Sequence, residues 1–116
     1  MKRPSDFKRI MLYREACDMR KQINGLAEIV QESMEEDPFS ADLYLFCNRK
    51  KDILKAVYFD RAGFCLWVKK LDKQRFPWLR KHNQPKVVVR AEDLELIFDG
   101  VDVFKRHEKL NFKSLY

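Results

Sequence analysis

Residues 42–71 read DLYLFCNRKKDILKAVYFDRAGFCLWVKKL, and this stretch decides the fold. It contains three segments rich in β-branched and aromatic residues, separated by two short polar segments. The apolar segments are Asp42–Cys47, Ile53–Phe59 and Phe64–Leu71, and the polar ones are Asn48–Asp52 and Asp60–Gly63. Such runs joined by short turns are typical of neighbouring antiparallel strands. The stretch therefore predicts an antiparallel meander.

The third apolar segment predicts a sheet that is covered on both faces. Side chains alternate along a strand, so Phe64, Leu66 and Val68 share one face while Trp67 and Leu71 share the other. Because both faces carry apolar residues, a single helix cannot cover the whole sheet. We expect a second element on the opposite face.

The residues before the meander predict a strand followed by a long helix. Arg9–Arg14 reads as a strand, and Asp18 is a candidate helix cap. One apolar stripe with helical spacing follows the cap, and Asp37-Pro38 ends it. The stripe consists of Met19, Ile23, Leu26, Val30 and Met34.

Two further elements follow the meander. Pro85–Arg90 contains three consecutive valines and predicts another strand, and Ala91–Asp99 predicts a short helix that stops at Gly100. The whole chain therefore predicts one α+β domain over residues 1–104, with an antiparallel sheet of three to five strands packed against one long helix and a short C-terminal helix. Residues 105–116 form a polar tail.

Charge is unevenly distributed along the chain. Residues 47–90 hold thirteen Lys and Arg against three Asp and Glu, whereas residues 28–46 hold six acidic residues and no basic one. Six aromatic residues are interleaved with the cations of the basic segment. Cations pair with phosphates, and unpaired bases stack on aromatic rings, so nucleic acid is the leading candidate partner. A basic surface that serves only solubility is the alternative.

The candidate nucleic-acid-binding residues fall into two clusters and one flanking pair. The first cluster occupies the predicted hairpin turn, the second follows the third strand, and the pair lies near the start of the helix. The residues are Arg20, Lys21, Asn48, Arg49, Lys50, Lys51, Lys73, Arg75, Trp78, Arg80 and Lys81. The alternatives are a solvated turn, a core role for Trp78, and a salt bridge from Arg20 to Asp18 or Asn24.

Catalytic and metal-binding patterns are missing from the sequence. Cys17, Cys47 and Cys65 are widely spaced and odd in number, which indicates reduced cysteines in a cytoplasmic protein. His82 and His107 have no neighbours at metal-ligand spacing, and no phosphate-binding glycine loop occurs. The first residues lead into no long apolar run, so we expect no signal peptide, and no apolar run in the sequence reaches membrane-spanning length. We expect no cofactor, no metal and no catalytic residue.

Several short motifs occur together in a fixed order. They are Asp18-Met19-Arg20-Lys21, Gly25-Leu26, Asp37-Pro38-Phe39-Ser40, Asn48-Arg49-Lys50, Asp60, Gly63, Leu66-Trp67, Lys69 and Arg75-Phe76 with Trp78. In this order the chain resembles the TnpB (Orf2) accessory protein of IS-sixty-six type bacterial insertion sequences, over about Ile10 to Phe104. The resemblance implies a bacterial mobile-element protein that is required for transposition beside a separate, larger transposase. It implies no catalytic residue.

Two hypotheses about function follow. The first is a non-enzymatic accessory factor of transposition that binds transposon DNA through the two basic clusters. The second is a protein-interaction adaptor that docks on the element's transposase, for which the acidic residues Glu32, Glu35 and Glu36 are the candidate contacts. A small metal-dependent nuclease is a third and weaker hypothesis.

Overall fold

A computed structural model describes residues 3–78 and 84–100 of the 116-residue chain. The described residues form a five-stranded sheet with a helix on each face. The strands are β1 (Ile10–Tyr13), β2 (Leu43–Cys47), β3 (Ile53–Asp60), β4 (Gly63–Lys70) and β5 (Lys86–Val89), and the helices are α1 (Ile23–Glu32) and α2 (Ala91–Phe98), with a 3₁₀ turn at Pro4–Asp6. The sheet order is β4-β3-β2-β1-β5. The predicted α+β class is confirmed.

The predicted meander is present, and its register is antiparallel throughout. Ala56 in β3 lies between Leu45 of β2 and Trp67 of β4. The sheet as a whole is mixed, however, because β1 runs parallel to β2. Helix α1 connects these two strands, and a helical crossover returns the chain to the same end of the sheet, which makes the joined strands parallel.

Helix α1 is shorter than the sequence predicted. It begins at Ile23 and ends at Glu32, and its N-cap residue is Gln22, whose side chain makes no capping hydrogen bond. The predicted cap at Asp18 is wrong because this carboxylate accepts the backbone N–H of Arg20 at 2.9 Å and closes a local turn. Asp side chains commonly bond the backbone two residues ahead in such turns, and the turn delays the start of the helix.

One face of the sheet packs against α1. The core between this face and α1 is apolar and is completely buried at most positions. The helix contributes to this core through the apolar stripe that was predicted from helical spacing. The buried residues are Met11, Cys17, Leu26, Val30, Met34, Tyr44, Phe46 and Val57. Burial raises the pKa of the Cys17 thiol in this core, and it raises that of Cys47, which is buried on the opposite face, to about 12. Both thiols therefore favour the protonated form.

The opposite face is covered by α2 and by the segment that follows β4, as the two-sided pattern of β4 predicted. Leu94 and Ile97 of α2 are fully buried there, together with Phe76 and Trp78. The Trp78 ring is only 4% exposed, and its Nε1–H donates to the Tyr13 carbonyl oxygen at 2.9 Å. Trp78 is therefore a core residue, and its ring is not available to stack on a base.

An ion-pair network joins the end of α1 to the sheet. Arg9 Nη2 lies 2.9 Å from Glu36 and 2.8 Å from Asp42, while the Lys86 ammonium donates to Glu36 and to the Met34 carbonyl oxygen. Burial alone would raise the pKa of Glu36, but the hydrogen bonds from Lys86 and Arg9 outweigh it and lower that pKa. Glu36, predicted as a partner contact, is thus committed to this internal network.

We predict that Glu36→Gln lowers the free energy of unfolding by about 2 kcal/mol at pH 7, the usual worth of a hydrogen bond to a charged group. In the folded protein the pKa of Glu36 lies below the ordinary value of 4.5, so the Glu36 carboxylate stabilises the fold above that pH. Its contribution disappears as the pH falls through the lowered pKa. The difference between wild type and variant should therefore shrink at pH 3.

Urea unfolding at both pH values provides the measurement, and Glu35→Gln is the matched control. Glu35 is the exposed neighbour of Glu36 and makes no ion pair within the part of the chain that the structure describes. Its substitution should stay within about 0.5 kcal/mol of wild type. Equal effects of the two substitutions would contradict a specific role for the Glu36 network.

Candidate nucleic-acid interface

The turn between β2 and β3 carries three consecutive cations at one end of the sheet. Arg49 and Lys50 are exposed, and Lys51 is half-buried with a left-handed backbone (φ 61°). The Lys51 N–H donates to the Asn48 carbonyl oxygen at 3.1 Å, which closes the turn. The predicted cluster therefore occupies a tight hairpin turn that projects beyond the strands.

Asn48 shapes this turn from inside. Its Oδ1 accepts the backbone N–H groups of Asp52 and Ile53, each at 3.1 Å, and its Nδ2 donates to the Asp52 carboxylate at 2.7 Å. The bond from Asn48 lowers the pKa of Asp52, and the nearby charges of Arg75 and Lys70 add to the effect. The Asn48 amide is thus used within the turn, where it supports the cations instead of extending their surface.

The segment after β4 packs against the same turn. The Leu71 N–H donates to the Asp52 carbonyl oxygen at 2.8 Å, and the Phe76 N–H donates to the Lys51 carbonyl oxygen at 2.7 Å. Phe76 is buried, so it anchors the segment while Lys73 and Arg75 remain exposed. The two clusters that are separate in the sequence are therefore brought together.

Lys70 joins this surface, although no local pattern singled it out. It is exposed at the end of β4 and is paired with Ile53, the residue that begins β3 directly after the turn. Lys69 faces the other side, where its ammonium donates to the Phe98 carbonyl oxygen and lies 5.2 Å from the Phe98 ring centre. Only the strand register could have shown that Lys70 is next to the turn. We call Arg49, Lys50, Lys51, Lys70, Lys73 and Arg75 the basic tip.

The loop before α1 lies beside the basic tip, held by a buried lysine. Lys55 is 5% exposed, and its ammonium donates to the carbonyl oxygens of Met19 at 2.8 Å and Lys21 at 2.9 Å. The Cys17 N–H also donates to the carbonyl oxygen of Cys47, the last residue of β2. These bonds place the exposed Lys21 at the same end of the sheet. Sequence reasoning missed Lys55, because a lysine in a strand usually points to solvent.

Arg20 is exposed in this loop, but its charge is compensated. Its guanidinium lies 2.7 Å from the Asp18 carboxylate, and the hydrogen bonds from Arg20 lower the pKa of Asp18 to about 2. This is the salt bridge that stood as the alternative explanation of Arg20. Of the flanking pair, Lys21 is the one that adds uncompensated positive charge.

The other predicted contacts fall elsewhere. Arg80 and Lys81 lie outside the described residues, and Trp78 is in the core. Glu32 and Glu35 are exposed at the end of α1 and beyond it, whereas Glu36 is engaged with Arg9 and Lys86. The acidic candidates therefore do not form one free surface.

The arrangement suits phosphate groups better than bases. The large apolar side chains exposed in the described part of the chain are Phe39 and Val68, so the basic tip presents no exposed aromatic ring there for stacking. Helix α1 begins next to Lys21 and has no acidic residue in its first turn. The positive end of its dipole therefore adds to the positive electrostatic potential at this end of the sheet. Across residues 3–78 and 84–100, no group of three or more His, Cys, Asp or Glu could hold a metal ion.

Among the helices of the described part of the chain, none combines the length and hydropathy that a membrane span requires.

Comparison with known proteins places the chain among mobile-element proteins. A family model described as IS66 Orf2 like protein matches residues 8–108. The chain is also 32% identical to the uncharacterized protein y4hO of Sinorhizobium fredii (strain NBRC 101917 / NGR234), over 85 residues that cover 73% of each chain. It is 33% identical to the uncharacterized protein y4jC of the same strain over 73 residues, which cover 63% of this chain and 62% of the relative. No solved structure matches this chain significantly.

We predict that Asn48→Ala destabilises the protein by about 1–3 kcal/mol, because the two backbone N–H groups and the Asp52 carboxylate would lose their partner. Urea unfolding followed by tryptophan fluorescence measures the loss. Lys50→Ala in the same turn should stay within about 0.5 kcal/mol of wild type, since Lys50 is exposed. Similar unfolding midpoints for the two variants would contradict the role assigned to Asn48.

We predict that the Asp18 carboxyl titrates at about pH 2 and that Arg20→Ala returns its pKa toward the ordinary 3.8. The sign follows from the salt bridge, because the guanidinium favours the ionised form and so lowers the pKa. Side-chain carboxyl chemical shifts measured by NMR between pH 1.5 and 6 test this. Lys21→Ala serves as the comparison, and a midpoint near 3.8 in the wild type would refute the pairing.

Proposed function

Because this chain belongs to the IS66 Orf2-like protein family, we propose that it is a non-catalytic accessory protein of DNA transposition that contacts transposon DNA through the basic tip. Membership of the family implies the transposition accessory role. The contact with DNA is the additional step, and it rests on the geometry of the tip.

The observation that supports DNA contact is the convergence of cations from three chain segments. The turn, the end of β4 and the following segment contribute six cations, against the carboxylates of Asp52 and Asp72. Asp52 is also occupied by the Asn48 amide at 2.7 Å. A fold that gathers like charges at one end stores electrostatic repulsion, and a polyanion relieves it.

The proposed contacts are with the phosphate backbone of duplex DNA. Exposed Lys and Arg side chains neutralise phosphates, whereas stacking on unpaired bases needs exposed rings, and Phe76 and Trp78 are buried. Backbone contacts fix the position of a protein on DNA and carry little sequence information. In this scheme the chemistry of strand transfer belongs to a separate transposase, and both proteins act in the bacterial cytoplasm.

The second candidate function is an adaptor that docks on the transposase without touching DNA. Its support is a pair of exposed carboxylates, Glu32 and Glu35, which make no ion pair within residues 3–78 and 84–100. Such a pair suits a basic protein partner. A DNA titration separates the two functions, because an adaptor of this kind would not bind DNA at low salt.

We predict that the protein binds the element's terminal repeats at low salt and that affinity falls steeply as salt increases. Each phosphate neutralised on a duplex contributes about 0.9 log unit of affinity per log unit of salt. Arg49→Ala/Lys50→Ala/Lys51→Ala should therefore weaken binding and flatten the salt dependence by about that amount for each phosphate that is no longer neutralised. Fluorescence anisotropy with labelled duplex, measured at salt concentrations from about 25 to about 200 mM, gives both quantities.

Arg61→Ala is the matched control for the triple variant. Arg61 is an exposed cation in the turn between β3 and β4, at the opposite end of that hairpin from the basic tip. Its removal should leave the salt dependence unchanged. Wild type that fails to bind duplex at the lowest salt concentration, or a triple variant that binds as well as wild type, would refute direct contact through the tip. Scrambled DNA in parallel measures sequence preference.

A further inference from the structure

The end of the β3–β4 hairpin farthest from the basic tip carries an exposed aromatic cluster. Phe39, Phe59 and Phe64 contact one another, with ring centres 5.1 to 5.2 Å apart in each pair. Phe59 and Phe64 are half-buried, whereas Phe39 is 60% exposed. We call these three residues the aromatic cluster. Contiguous exposed apolar groups mark interaction sites on soluble proteins, unlike apolar residues scattered singly over a surface.

Hydrogen bonds tie the loop that presents Phe39 to the sheet. The Asp37 carboxylate accepts the Phe39 N–H at 2.9 Å, and the Asp37 carbonyl oxygen accepts the Tyr44 hydroxyl at 2.9 Å. The Ser40 hydroxyl lies within hydrogen-bond distance of both Tyr44 and Asp42. Since Tyr44 and Asp42 are buried, the loop is fixed to the sheet core. The backbone that carries the exposed ring is therefore fixed by hydrogen bonds, and such preorganisation reduces the entropic cost of binding a partner.

The charges around the aromatic cluster are mainly acidic. Asp37 is two residues from Phe39 and is exposed. The exposed Glu35 precedes it in the connection from α1, and the exposed Glu32 is the last residue of that helix. Asp60 follows Phe59 in sequence. The exposed cations nearby are Arg61 in the adjoining turn and Lys8, whose N–H donates to the Ala41 carbonyl oxygen at 3.0 Å. An acidic setting repels DNA phosphates, so this end of the molecule is suited to a partner of the opposite charge.

We infer that the aromatic cluster and its acidic surroundings bind a basic, amphipathic segment of another protein of the transposition machinery. The segment would place an apolar side chain against Phe39 and its cations near Asp37, Glu35 and Glu32. A second copy of this chain matches the surface less well. Its basic tip supplies cations, but the exposed apolar side chain beside them is the small Val68, and no aromatic ring of the described residues is exposed there, since Phe76 and Trp78 are buried.

The two surfaces lie far enough apart to be occupied together. The aromatic cluster includes Phe59 and Phe64 near the β3–β4 turn, whereas the basic tip lies where β3 begins and β4 ends. Strands of eight residues at about 3.3 Å per residue separate the ends by roughly 25 Å. A partner at the aromatic cluster would therefore leave the tip free for DNA. The inference rests on the proposed role in transposition, but it does not require DNA contact by the tip.

The test is binding of the full chain to the purified transposase of the same element, measured by biolayer interferometry. Phe39→Ser should weaken binding at least about tenfold, the loss expected for an aromatic anchor. Val68→Ser is the matched control, since Val68 is 58% exposed but lies near the other end of β4, opposite Lys55. It should bind within about twofold of wild type. Thermal unfolding of both variants checks that each is folded.

A second variant tests the charges without altering the aromatic cluster. Glu32→Lys/Glu35→Lys reverses two exposed residues and spares Glu36, which is needed by Arg9 and Lys86. This variant should weaken transposase binding and reduce its dependence on salt. Unchanged binding by both Phe39→Ser and the double variant, or no binding of transposase by wild type, would overturn the inference.

Two parallel measurements distinguish this inference from other outcomes. Phe39→Ser should bind duplex DNA as well as wild type does. If neither wild type nor any variant binds DNA, but Phe39→Ser still weakens transposase binding, the proposed DNA contact is refuted and the inference stands. Sedimentation of the protein without its partners tests whether a second copy of this chain occupies the aromatic cluster. A wild-type dimer that Phe39→Ser converts to a monomer would assign the cluster to a second copy and overturn the inference.

Discussion

Strand β2 imposes the constraint on which the rest of the structure depends. All five of its residues are buried, so apolar side chains of this strand need a cover on both faces of the sheet. Helix α1 covers one face because it connects β1 to β2 and crosses between them. Phe7 from the N-terminal segment covers part of the second face, and residues that follow β4 cover most of the rest. The chain leaving β4 reaches that face by passing the end of the sheet where the β2–β3 turn lies. Phe76 and Trp78 are the first fully packed residues of this later cover.

The same constraint builds the candidate interface. The segment from Leu71 to Phe76 crosses the end of the sheet and is fixed there by hydrogen bonds to the Asp52 and Lys51 carbonyl oxygens. Lys73 and Arg75 lie within this crossing, so burial of Phe76 places their charges beside those of the turn. The positive surface is thus a consequence of core packing. Favourable burial of apolar residues on the second face outweighs the repulsion among a few exposed cations, which water and salt screen effectively.

This explains which features could be predicted from the sequence. The strands and α2 follow from local patterns, namely alternation, short turns and a glycine stop, and they lie within one or two residues of their predicted ends. The start of α1 could not be predicted because an Asp residue can either cap a helix or close a turn. At Asp18 the turn forms, stabilised by the hydrogen bonds from Arg20. Lys55, Lys70 and Glu36 depend on long-range register and ion pairing. No local pattern distinguishes such residues from ordinary solvated charges.

The fold pairs some of its charged residues internally and leaves others exposed at its two ends. Acidic residues near the sheet, Glu36 and Asp42, are engaged by Arg9 and Lys86, and Asp52 is engaged by Asn48. Within residues 3–78 and 84–100, the exposed cations of the basic tip lie at one end of the β3–β4 hairpin, and the exposed carboxylates of Asp37 and Glu35 lie toward Phe39 at the other. A surface that contacts phosphates distinguishes one DNA sequence from another poorly. Under the proposed function, selection of the element's ends falls to another protein of the machinery, which the inferred site at the aromatic cluster would recruit, and this chain contributes affinity for DNA.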